Sequence, residues 1–101
     1  MISKEVKYYG RILKNILKDP KINGLLESLS QHMQLRFMVT FADGNLLWGE
    51  DLDYEHVFEL EENEVSFGSV GADQARGQVI TDLLMTLIRK DLQKMKKIGI
   101  K

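Results

Sequence analysis

The chain has 101 residues, 44% hydrophobic and 29% charged, which suits a single globular domain over residues 1–101. Cysteine is absent, which excludes disulfides, thiolate metal sites and a cysteine nucleophile together. The net charge of -1 hides a segregation: residues 1–36 carry +4, residues 37–75 carry -10 without a single Lys or Arg, and residues 76–101 carry +5. An acidic middle repels phosphates, so no nucleic-acid partner is expected there. Basic helices that flank and attract an acidic sheet account for the pattern most simply, and a functional acidic surface is the alternative. No apolar run approaches the ~18 residues of a membrane span. The opening MISKEVKYYGRIL is too amphipathic for a signal peptide. The expectation is a cytoplasmic protein with no membrane contact.

Residues 3–18 place Val6, Tyr9, Leu13, Ile16 and Leu17 at helical spacing, with Ser3 as N-cap. Asp19-Pro20 ends this helix and can start the next, which repeats Ile22, Leu25, Leu26, Leu29 and Met33. Asn23-Gly24 weakens its first turn and moves the expected start toward Gly24. At Leu35 the period changes to two, and strands are expected near 35–41, 46–50, 56–61 and 65–70. The Asp43-Gly44 pair makes the first hairpin turn, because Gly accepts a positive φ. Leu46 and Trp48 are expected on one side of the return strand, and Trp48 is expected to be substantially buried. An acidic loop, DLDYE, leads to the second hairpin. Asp73 is positioned to cap a last helix from about Gln74 to Lys97. The order is α-α-β-β-β-β-α. Four short antiparallel strands need helices on one face, so the fold class is α+β with two layers.

Little in this pattern points to catalysis. EDLDYEH is rich in carboxylates but lacks the spacing and central Gly of a calcium loop, so no metal site is expected. His32 and His56 lie far apart in sequence with no nucleophile beside them. Glu59 and Glu61 could do acid–base work as a pair, or mark the solvent side of the sheet. No catalytic residue is therefore assigned. Phe37, Val39, Phe41, Trp48, Phe58 and Phe67 form either a packed core or an apolar pocket between sheet and helices. The last helix carries two apolar stripes, Val79-Leu83-Leu87 and Leu84-Ile88-Leu92-Met95. One sheet face needs only one stripe. Leu84, Ile88, Leu92 and Met95 are accordingly expected to form a homodimer contact.

The stretches FMVTFADGNLLWGE and HVFELEENEVSFGSVGADQARGQVITDLLMTLIRKDLQKM resemble bacterial sensory domains of the GAF/PAS type. The resemblance covers residues 12–97 and is one of element order and spacing. In such modules a strand ending in Gly-x-hydrophobic-Gly precedes a helix leading to an output domain, and FGSVGAD with the last helix looks like that. The resemblance implies a non-enzymatic regulatory module of signal transduction that passes a signal to an output domain or protein partner. The chromophore cysteine and the cyclic-nucleotide signature are missing. No cofactor is expected, and a small-molecule ligand is left open. A roadblock-like interaction domain regulating a GTPase fits in part, although DLDYE is too short for the helix such proteins carry between the second and third strands. A small hydrolase using Glu59 and Glu61 is the remaining alternative.

Overall fold

A computed structural model describes the chain over residues 2–99, with side chains to residue 94. Helix α1 spans Lys4–Lys18. The Ser3 hydroxyl accepts from the Val6 amide at 3.2 Å and so satisfies one orphan donor of its first turn. Helix α2 spans Pro20–Met33. It starts at Pro20 rather than near Gly24. Asp19 accepts from the Lys21 amide at 2.9 Å, and Pro20 needs no amide partner in the first turn, so cap and proline together outweigh Asn23-Gly24. Gln34, left-handed at φ 50°, closes α2.

Four strands follow: β1 Phe37–Phe41, β2 Leu46–Gly49, β3 His56–Glu62 and β4 Val65–Ala72. They form one antiparallel sheet in the order β2-β1-β4-β3. A short 3-10 turn, Ala75–Gly77, leads into helix α3, Gln78–Gly99. The domain is α+β, in the α-α-β-β-β-β-α order the sequence indicates. The helices pack against one face of the sheet, and among the described residues no helix lies on the other.

Two irregularities decide which side chains point where. A bulge between Val39 and Thr40 pairs Val39 with Trp48 and Thr40 with Leu46. Trp48 and Leu46 therefore lie on opposite faces, which corrects the expectation that they share one, because an extra residue inverts the alternation. A second bulge, between Leu60 and Glu61, lets Phe67 and Gly68 both turn toward the helices. Trp48 is half-buried, packed against the core. Its ring stacks on Phe37 at 4.6 Å between centroids, and its indole N–H donates to Asn23 in α2 at 3.3 Å.

The core is built from Leu13, Leu26, Leu35, Phe67, Val70 and Ile80, with their neighbours on both layers. Phe37, Val39 and Phe41 are buried there, and Phe58 is half-buried against it. Leu84 and Ile88 are fully buried in the same core. Their assignment to a contact between protomers is therefore corrected. Helix α3 lies beside α1 and over β3, so its Ile80-Leu84-Ile88 stripe is covered within the chain. Leu92 is half-buried against the core, and the Met95 side chain lies outside the described residues. Asp73 caps no helix. Its backbone amide donates to the Arg36 carbonyl, and its carboxylate accepts from the Arg36 amide at 3.1 Å, extending the β1–β4 ladder by one step.

Candidate functional site

The uncovered face of the sheet is floored by small side chains. Register places Gly49, Met38, Gly71 and Val57 in one row across the four strands. The next row is Leu46, Thr40, Ser69 and Glu59. Thr40 and Ser69 share a hydroxyl hydrogen bond of 2.9 Å, and the Ser66 hydroxyl donates to Glu59 at 2.6 Å. Thr40, Ala42, Gly44, Glu59, Ser66 and Ser69 line a shallow depression of about 340 Å³. Its floor is hydroxyl and backbone, and its one charge is a carboxylate. Val57 beside it is 60% exposed and Leu46 is 42% exposed. The face thus combines apolar knobs, a polar hollow and negative charge.

The six residues 50–55 join β2 at one edge to β3 at the other, so the acidic loop crosses the end of the sheet as a strap. Glycine at position 71 makes room for it. A Cβ there would stand 3.1 Å from the Tyr54 ring and 3.3 Å from the Met38 methyl. The Tyr54 hydroxyl donates to the Glu50 carbonyl at 2.9 Å and ties the strap to itself. Burial raises the Tyr54 phenol above its ordinary pKa, and the charges of Glu50, Asp73 and Asp51 push the same way against Arg36. The strap therefore holds a locally negative potential at the edge of the open face.

The acidic pair suspected from the sequence is present but split in role. Glu59 is held by Ser66, while Glu61 pairs in register with Ser66 beyond the bulge and is exposed. His32 sits on α2, bonded to the Ser28 carbonyl, and His56 sits on the β3 edge beside the Phe58 ring, so the fold does not unite them. Among the described residues no group of three His, Asp or Glu side chains is arranged to hold a metal ion. No helix among them is long and apolar enough to cross a membrane. The aromatic set splits as well: Phe37, Phe41 and Phe67 are buried core, and Trp48 and Phe58 are half-buried against it.

Strand alternation does not mark the open face as a site, because it shows only which side chains turn inward. The available signal was Val57, an apolar residue on the polar side of an otherwise alternating strand. Comparison with protein-family models, curated proteins and solved structures finds no match to this chain.

Proposed function

We propose that this domain is a non-catalytic regulatory module whose open sheet face docks a basic, apolar-ridged segment of another protein. The observation that carries this reading is the depression beside Val57. Its hydroxyl oxygens and the Glu59 carboxylate are acceptors for a Lys or Arg side chain, and Val57 and Leu46 offer contact to the apolar residues flanking that cation. Charge complementarity favours a basic partner, since residues 37–75 hold ten acids and no base. The reading keeps the regulatory role implied by the resemblance to sensory domains. It does not route association through Leu84 and Ile88, which belong to the core.

The test is titration of the ¹⁵N-labelled protein with a lysine- and leucine-containing amphipathic peptide. Amide shifts should map to Thr40, Val57, Glu59 and Ser69, and a peptide with Glu in place of Lys should leave them unmoved. Val57→Asp separates docking from simple attraction. Docking loses an apolar contact and weakens, whereas a purely electrostatic association would tighten with the added carboxylate. Shifts on the helical layer, or tighter binding by Val57→Asp, would refute the proposal.

A further inference from the structure

A second concavity lies on the other side of the molecule, where α1 and α3 meet the turn between β3 and β4. It measures about 550 Å³, within the range of small-molecule sites, and Tyr8, Tyr9, Asn63, Arg89, Leu92 and Glu62 line it. Its polar groups are held in place. Arg89 Nε donates to Glu62 at 3.1 Å, an ion pair whose carboxylate side chain is only 20% exposed. That single bond fixes the guanidinium and leaves both terminal nitrogens without a protein partner among the described residues. Tyr9 is 8% exposed, its hydroxyl accepts from the Asn63 amide at 3.1 Å, and among the described residues none accepts its own proton. The apolar wall is the Leu92 side chain with the 41% exposed Tyr8 ring, tilted against Tyr9 at 5.6 Å.

We infer that this groove binds a small aromatic carboxylate. Arg89 and Tyr9 both line the groove, and a guanidinium with a phenolic donor in the same groove suits a carboxylate. The tyrosine and leucine surface receives a ring. Glu62 opposes an anion locally, and its main effect is to hold Arg89 in position. This site is remote from the open sheet face and does not depend on the docking proposal.

Sodium phenylacetate is the probe, with phenethylamine and benzyl alcohol as controls, followed by amide shifts of the ¹⁵N-labelled protein. Phenylacetate should move Tyr9, Asn63 and Arg89 in a saturable way, and the amine and the alcohol should not. Arg89→Gln should weaken binding about tenfold, the loss of one charge-assisted contact. Glu62→Gln should leave binding as tight or tighten it, since Gln keeps an oxygen that can accept from Arg89 Nε while the competing charge is gone. Tyr8→Ala, at an exposed position, should weaken binding severalfold and serves where an ion-pair variant fails to fold. Equal binding of the amine, weaker binding by Glu62→Gln, or no phenylacetate shift in the groove would overturn the assignment.

Discussion

Asn63, at the tip of the second hairpin, donates its side-chain amide to the hydroxyl of Tyr9 in α1, 54 residues away in sequence. This bond joins a turn to the helical layer and gives the hairpin a fixed orientation. The turn itself is strained. Asn63 and Glu64 both have positive φ, 50° and 65°, as a two-residue hairpin loop requires, but a glutamate is poorly suited to that conformation. Glu64→Gly should stabilise the domain by about 1 kcal/mol, because the left-handed penalty disappears while Asn63 keeps its bond. Urea denaturation monitored by circular dichroism checks this. An unchanged or lower midpoint would mean that the turn relaxes in solution.

Gly10 of α1 lies directly against the sheet, where an added Cβ would run into the Phe41 ring. The ring cannot withdraw freely, since it is buried and Lys14 Nζ lies 4.7 Å from its centroid. Gly10→Ala should therefore destabilise by about 1–2 kcal/mol, overpacking outweighing the roughly 1 kcal/mol gained in helix propensity. Combining it with Phe41→Leu should cost less than the two changes added together, because the smaller side chain makes room for the methyl. Additive losses would show that the two positions do not touch.

Ile88→Asp is expected to unfold the protein. Ile88 is fully buried between α1 and the sheet, and a carboxylate there has no partner. The combined loss of packing and burial of a charge exceeds about 4 kcal/mol, a large part of the 5–15 kcal/mol available to a domain of this size. A well-dispersed spectrum from a folded monomeric Ile88→Asp variant would place this residue at a surface instead.

The elements were legible in the sequence because their signals are local. Ser3, Asp19-Pro20 and Asp43-Gly44 each mark a boundary through a cap or a turn conformation, and the change of period at Leu35 marks the strands. What failed was non-local. The bulge after Val39 separated Leu46 from Trp48, and no property of either residue announces it. Asp73 has the identity of a helix cap, but its partner Arg36 lies 37 positions earlier and becomes a neighbour only when β1 and β4 pair. The two apolar stripes of α3 exceed what one sheet face needs, and a helical projection does not show that α1 packs alongside α3. The open face and the Tyr9–Asn63–Arg89 groove are products of strand order and layer packing, so they emerge only when the chain is folded.

Tyr54 offers a spectroscopic handle on the strap. Its phenol is raised first by burial and then by the charges of Glu50, Asp73 and Asp51. A raised folded pKa means that the native state keeps its proton at pH values where the unfolded chain has begun to lose it. Stability linked to Tyr54 is thus fully present below the unfolded value of about 10 and is lost as pH rises through the higher folded value. Glu50→Gln removes the largest of the neighbouring charges without touching the carbonyl that accepts from the Tyr54 hydroxyl. It should lower the midpoint of Tyr54 ionisation, read as the difference in absorbance near 295 nm between each protein and its Tyr54→Phe counterpart. Midpoints that coincide with and without Glu50 would show that burial alone sets this pKa, and that the strap does not hold its acids close to the ring.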